Sequence, residues 1–349
     1  MRQGEILKKE PLLSFAIPTW NRGKYIKSTI DSIINQIVQQ KIGIEIFVSD
    51  NDSKDDTHEI LKHYSNKYNF FRYKINEQNL GFDLNLINAI ENSKGKYVWT
   101  FSDDDLLGEG GLDKILGLIK RFSPNYIITS FSEFIEKDSK ARELICIRGV
   151  KKYKGVKSDI TDLDFKRLLS IVLDDSGFVS VNVFKKEVLK LNEIRSNYKK
   201  VKAWSHLWMV GQATINGGGI LSPYEVVKKR VYNSPTEYSV FTKQLPESLD
   251  IIFRYLDVDK SFQGKFFTEL SHKYLSLWPM LVISVQLKIE NKGIDINNFS
   301  KLIFRKSTIV YTRYLFPIIP KFIIVLPTKI IRLIHGKGFT LFDPIKRSF

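Results

Sequence analysis

The sequence predicts an α/β fold, a doubly wound sheet with a mainly helical extension after it. Three observations predict this. Four short apolar runs rich in β-branched and aromatic residues alternate with segments of helical period between residues 12 and 102. The connections between them are short. Three of the runs end in polar clusters, PTWN (18–21), SDNDS (49–53) and SDDD (102–105). In a doubly wound sheet the carboxyl ends of the strands face one edge, where ligands bind.

The elements follow in order. LLSFAIP (12–18) reads as a buried strand, and its continuous apolar character suits a parallel sheet interior. Ile26, Ile30, Ile33, Ile34 and Ile37 fall at helical spacing and predict an amphipathic helix. IGIEIFVSD (42–50) is a second strand, and Ser53 to Thr57 resembles the start of a helix over about 55–67. FFRYKIN (70–76) is a third strand, residues 79–95 hold a glycine turn and a helix, and YVWTFS (97–102) is a fourth strand. Beyond Asp105 the pattern loosens. Helices are expected at 112–122, 165–175 and 203–215, and a strand at 125–136. Residues 177–189 read as a strand and a helix start, and 217–232 as a closing strand pair. The basic, turn-rich stretch 137–160 reads as a flap.

Length and composition bound the rest. A chain of 349 residues, 43% hydrophobic, is ample for a buried core and suggests two domains. The expected boundary near Pro235 and Pro246 divides residues 1–240 from residues 241–349. A single cysteine, Cys146, excludes an intrachain disulfide framework. With a polar start and no long uncharged apolar stretch, it points to a cytoplasmic, reducing compartment. The net charge of +16 favours polyanionic or phosphorylated partners.

Asp103, Asp104 and Asp105 carry the strongest local signal. Three adjacent carboxylates repel one another, and oxygen ligands at this density suit Mg2+ or Mn2+, which bridge diphosphate oxygens. A nucleic-acid partner is not expected, because acids at two strand ends repel phosphate. A nucleotidyltransferase would carry a glycine-rich triphosphate loop, and PTWNRGK holds one glycine.

IPTWNR (17–22), VSDNDSKDDT (48–57), NLGFDLN (79–85) and FSDDDLL (101–107) together resemble the family 2 glycosyltransferases of the GT-A type. The wording is similar to that of the abequosyltransferase-like enzymes of bacterial O-antigen and surface polysaccharide synthesis. The resemblance implies a GT-A fold with a Rossmann-like mixed sheet, a nucleotide-diphosphate sugar donor and a Mg2+ or Mn2+ cofactor. It places Pro18, Thr19, Asn21 and Arg22 in the first nucleotide loop. Asp50 would accept a hydrogen bond from the base, beside Asn51 and Asp52, and Asn79, Gly81 and Asn85 would line the pocket. Asp103 and Asp105 match the outer positions of the D-x-D motif. That makes Asp105 the expected metal ligand and puts Asp103 near the ribose or the metal, with Asp104 between them.

Relatives that invert carry a Glu-Asp pair about a hundred residues after this motif, where this chain reads AWSHLWMV (203–210). His206 stands there as a candidate general base, metal ligand or phosphate contact, and equally as a structural histidine. Asp174 and Asp175 are the other candidate bases. The missing Glu-Asp pair also leaves an inactive scaffold of the same fold open. Finally, residues 301–349 hold ten Lys or Arg and one acid, Asp343. Apolar runs there alternate with single cations, and Pro317, Pro320 and Pro327 interrupt any long helix. The pattern suits a segment lying on the inner face of the cytoplasmic membrane, near a lipid-linked or polymer glycan acceptor.

Overall fold

A computed structural model of the chain describes residues 10–40, 42–136, 144–148, 159–169, 177–201, 204–230 and 245–266. The fold divides into two compact units, Met1–Pro235 and Thr236–Phe349. The first half of unit one is a regular alternation: β1 (Leu13–Thr19), α1 (Gly23–Ile37), β2 (Ile44–Asp50), α2 (Thr57–Lys67), β3 (Phe71–Ile75), α3 (Phe82–Asn92) and β4 (Tyr97–Thr100). These four strands lie in the order β3-β2-β1-β4, all parallel. Every residue of β1 and β2 is buried, which is why both strands read as mainly apolar runs rather than a strict apolar/polar alternation. Phe15 stacks on Trp99 with centroids 5.0 Å apart, and Phe101 meets both rings edge-on.

The second half departs from that pattern. It contains β5 (Leu106–Leu107), α4 (Gly111–Phe122), β6 (Tyr126–Glu136), β7 (Leu144–Arg148), β8 (Ile160–Leu163), β9 (Asn182–Lys185), α5 (Leu191–Val201), α6 (Ser205–Thr214) and β10 (Gly219–Arg230). The sheet continues β4-β9-β6-β10-β5, with β9 antiparallel to both β4 and β6. Because β9 runs against β4, the turn that precedes it (residues 177–181) lies beyond the carboxyl end of β4. The strand pair expected at 217–232 is one long strand, β10, parallel to β6. Its register shifts between Ser222 and Glu225, where Pro223 has no N–H for the ladder. The helix start expected near 186 is a single 3-10 turn, Lys186–Val188, and α5 follows it.

Of the expected flap, Leu144–Arg148 forms a strand on β6, and residues 137–143 and 149–158 lie outside the described residues. The helix expected at 165–175 is described over 165–169 only. In unit two, α7 (Leu245–Tyr255) buries Leu249, Ile252 and Phe253, and Phe253 meets Phe262 and Phe266 edge-on. Residues 267–349, including the basic segment, lie outside the described residues. No described helix is long and apolar enough to cross a membrane.

Glu45 marks the end of the sheet away from the polar clusters. It is buried, yet Ser14 Oγ (2.5 Å) and Lys94 N–H (2.6 Å) donate to its carboxylate and Arg72 pairs with it. The buried charge is therefore fully engaged.

Candidate active site

The strand order reverses at β1, with β2 and β3 on one side and β4 on the other, so a crevice opens beyond the carboxyl ends of β1 and β4. Pro18 sits at its lip. β4 pairs with β1 only as far as Ala16–Thr100, so Pro18 lies where one ladder has already ended. The next residues turn sharply, with Asn21 at a φ of 53°. Asn21 is held from two sides. Its N–H donates to Ser53 Oγ (2.8 Å) and its Oδ1 accepts from Lys54 N–H (2.7 Å). Asn51 N–H donates to Thr19 C=O (2.9 Å), joining the ends of β1 and β2.

The start of α1 is closed to an anion. Gly23 N–H donates to Asp55 Oδ2 (2.9 Å) and Arg22 N–H to Thr57 Oγ1 (3.0 Å). A Cβ on Gly23 would lie 1.5 Å from Asp56 Oδ1. Carboxylates of the β2–α2 loop thus occupy the positive end of this helix.

At the end of β2, Asp50 is fully buried. Its Oδ1 accepts from Ser53 N–H (3.1 Å) and Ser53 Oγ (2.5 Å), while Oδ2 has no partner among the described residues. Burial raises its pKa above the ordinary carboxylate value. Beside it, Asp52 has a φ of 63° and pairs with Lys54 at 2.6 Å.

Asn51, Asn79, Gly81 and Asn85 do come together. Asn51 Nδ2 donates to Asn79 Oδ1 (2.8 Å) and, more weakly, to Gly81 C=O (3.4 Å). Asn85 Nδ2 donates to the carbonyls of Thr19 (3.2 Å) and Ser49 (3.0 Å). Gly81 has a φ of 80°, a conformation that favours glycine at this turn into α3. Asn76, missed in the sequence, joins Asn51 to Asn85. The signal was present in the Asn85, Asn88, Asn92 spacing on α3, which puts amides on one face.

The acid loop after β4 is gripped by a polar stripe of α1, Thr29, Ser32 and Gln36. Thr29 Oγ1 donates to the carbonyls of Asp103 (3.0 Å) and Asp105 (2.8 Å). Leu107 N–H donates to Ser32 Oγ (2.9 Å), and Gln36 Nε2 donates to Gly108 C=O (2.8 Å). The three carboxylates have distinct surroundings. Asp103 lies 3.6 Å from Arg22 Nε, and burial, with the neighbouring Asp104, pushes its pKa up to about 7. Asp105 has both oxygens occupied. Ser180 Oγ donates to Oδ2 (2.5 Å) and Arg230 N–H to Oδ1 (2.9 Å), while Arg230 Nε donates to Asp104 C=O (2.8 Å). Burial, again with Asp104, pushes Asp105 up to about 8. Asp104 is the most exposed of the three, at 9%, and Ser102 Oγ donates to its Oδ1 (2.6 Å). Among the described residues nothing donates to Asp104 Oδ2.

His206 lies in the first turn of α6 and is buried. Its Nε2 is 3.1 Å from Gly177 C=O, so that nitrogen carries the proton. Nδ1 then presents a lone pair and has no partner among the described residues. Burial lowers its pKa to about 4, so the ring is neutral at pH 7. Phe82, at the start of α3, meets this ring edge-on at 6.3 Å. Asp83 Oδ1 accepts from Ser205 Oγ (2.6 Å) and Ser205 N–H (3.2 Å), tying α3 to the start of α6. Asp105 and His206 are linked through one turn, Gly177 to Ser180.

The ligand set expected of Asp103, Asp105 and His206 is not assembled. Among the described residues no three His, Cys, Asp or Glu side chains form a metal cluster. The oxygens of Asp105 are spent on Ser180 and Arg230. Asp174 and Asp175 lie outside the described residues. Trp99 and Trp208 are fully buried in the core.

The geometry agrees with the comparisons to known proteins. The Glycosyl transferase family 2 model matches residues 14–179. Abequosyltransferase RfbV of Salmonella typhimurium is 41% identical over 102 residues, 29% of this chain and 30% of RfbV. An uncharacterised glycosyltransferase of Rickettsia prowazekii is 30% identical over 151 residues, 43% of this chain and 45% of that protein. The chain thus spans less than half the length of either relative. The Campylobacter jejuni GalNAc(5)-diNAcBac-PP-undecaprenol beta-1,3-glucosyltransferase is 24% identical over 299 residues, 80% of this chain and 90% of that enzyme. Among solved structures, S. aureus TarS 1–349 in complex with UDP-GlcNAc superposes with a TM-score of 0.60 at 16% identity, over 83% of this chain and 81% of TarS, which shows a shared fold. Residues 14–179 of this chain are a glycosyl transferase family 2 domain with the GT-A fold.

Proposed function

We propose that this protein is a glycosyltransferase that moves a sugar from a nucleoside-diphosphate donor to a hydroxyl of a glycan acceptor in bacterial surface polysaccharide synthesis. One observation carries the reading. Among the described residues the buried Asp50 carboxylate keeps Oδ2 without a partner, at the sheet edge where the acid loop also lies. A buried acceptor with no donor is costly, and a base ring N–H satisfies it. The glycosyltransferase names of the relatives support the same reading.

The chain's own residues divide the work. Asp50 and the asparagines around it seat the base, and Arg22, beside Asp103, supplies a guanidinium for phosphate. The carboxylates fit a hard divalent cation, Mg2+ or Mn2+, because they are adjacent oxygens of like charge and one of them, Asp104 Oδ2, is unengaged. Asp104, with Asp103, would hold it, and the cation would offset the charge on the departing diphosphate. Asp105 fixes the loop through Ser180 and Arg230. His206 Nδ1 takes the proton of the acceptor hydroxyl.

Calorimetric titration of the full chain with UDP, GDP, CDP and TDP, each with and without Mg2+ or Mn2+, tests this. One nucleotide is expected to bind with cation dependence and to lose affinity in Asp50→Asn. Failure of all four to bind overturns the reading, and binding without any transfer to isolated acceptor lipid points to an inactive scaffold.

The acceptor is proposed to be lipid-linked or polymeric, and the undecaprenol in the name of the Campylobacter relative supports the lipid-linked form. The basic residues 301–349 would hold the protein at the inner face of the cytoplasmic membrane. The full chain is then expected to sediment with vesicles containing anionic phosphatidylglycerol and to be released by salt. Equal binding to neutral vesicles would refute this attachment.

A further inference from the structure

We infer that Asn76 is a positioning residue for nucleotide binding, the centre of an amide chain that orients Asn51 and Asn85 and runs to a surface ion pair at Arg195. The inference rests on the nucleotide reading above. Asn76 follows β3 and is 6% exposed. Its N–H donates to Asp50 C=O (2.8 Å). Its Nδ2 donates to both Asn51 Oδ1 (3.1 Å) and Asn85 Oδ1 (2.9 Å), and its Oδ1 accepts from Asn88 Nδ2 (3.0 Å). Asn88 Oδ1 in turn accepts from Arg195 (2.7 Å), whose guanidinium also grips Glu91 at 3.1 and 2.5 Å.

The direction of every amide in this chain is forced from its ends. Arg195 has only donors, so Asn88 turns its oxygen outward and its NH2 toward Asn76. At the other end, Leu80 N–H (2.9 Å) requires the oxygen of Asn51. The carbonyls of Thr19 and Ser49 require the NH2 of Asn85. Both neighbours therefore present oxygen to Asn76, and only an NH2 satisfies them.

Asparagine is the residue that gives one face of two donors and one face of an acceptor in this space. Aspartate in its place sets an acceptor against two acceptors. Neither neighbour escapes by flipping. Asn51 would then turn NH2 toward Leu80 N–H and oxygen toward Asn79 Oδ1. Asn85 would turn oxygen toward two carbonyls. The strain falls on the loop that carries Asn51, Asn79 and Gly81, and so on the nucleotide site rather than on the acid loop or His206.

The test titrates UDP, GDP, CDP and TDP with Mg2+ into the full-length wild type, Asn76→Asp and Arg195→Leu, alongside transfer kinetics and thermal midpoints. For the nucleotide that the wild type binds, Asn76→Asp is expected to weaken affinity about tenfold, with donor KM raised and kcat within about twofold. Arg195→Leu removes the outer anchor at the protein surface and is expected to weaken the same affinity about threefold. It also covers the case in which Asn76→Asp does not fold. Unchanged affinity in Arg195→Leu together with unchanged affinity or failed folding in Asn76→Asp overturns the inference and leaves the chain a structural brace. If the wild type binds none of the four nucleotides, the nucleotide reading falls, and this inference with it.

Discussion

Replacing His206 by glutamine is expected to lower kcat by about two to four orders of magnitude, with donor KM little changed. The glutamine amide keeps an N–H for Gly177 C=O and removes the Nδ1 lone pair, so the change isolates one nitrogen. A full rate in His206→Gln would assign the proton transfer elsewhere. The same ring leaves a signature in stability. Its folded pKa of about 4 is below its ordinary value of 6.5. Between these values the unfolded chain binds the proton and the folded chain does not. The stabilisation is present above pH 6.5 and is lost as pH falls toward 4, reaching about 3 kcal/mol there. Urea unfolding of the wild type and of His206→Gln at pH 7.5 and 4.5 reads it as a difference, which removes the opposite slope from Asp103 and Asp105. A wild type that loses no more stability than the variant would place the ring in contact with water.

Asp104→Asn is expected to lower transfer by about two to three orders of magnitude while leaving the thermal midpoint within a few degrees. Its one hydrogen bond, from Ser102 Oγ, survives in asparagine, and its unengaged oxygen is what the reaction uses. Asp105→Asn should behave the other way. Its oxygens hold Ser180 and the Arg230 backbone in the interior, so an inserted NH2 faces one of these donors and lowers the midpoint by several degrees. Activity assays and thermal unfolding of the two variants side by side separate the roles. A stable but inactive Asp105→Asn beside an active Asp104→Asn would restore the assignment that the D-x-D spacing implies.

The two carboxylates show where a motif stops being informative. The D-x-D spacing singles out Asp103 and Asp105, and it does not say which carboxylate oxygens stay unengaged in the fold. What separates them is Arg230, 125 positions further along, which β10 brings to the acid loop. No local pattern encodes a contact of that range. His206 was visible only as a residue in the place of an acid, and its free nitrogen depends on which side Gly177 occupies.

Much of the fold was legible by contrast. Period and polarity are local properties, and they mark β1 to β4 and the helices between them. With right-handed crossovers they bring the polar strand ends to one edge. Asp50, Asn51 and Asn85 were named from the family resemblance of the motifs that hold them. The second half was less legible, because β9 is four residues long and inserts between strands made much earlier, and because residues 217–232 read as a strand pair where β10 is one strand with a bulge. Asn76 was read only as the last residue of the third strand, 70–76. The sequence by itself determined the first four strands, the helices between them and the collection of polar strand ends at one edge, since these follow from local chemistry. Only the tertiary structure decided which oxygen of each acid stays unengaged and which way each amide points, because those depend on partners from distant parts of the chain.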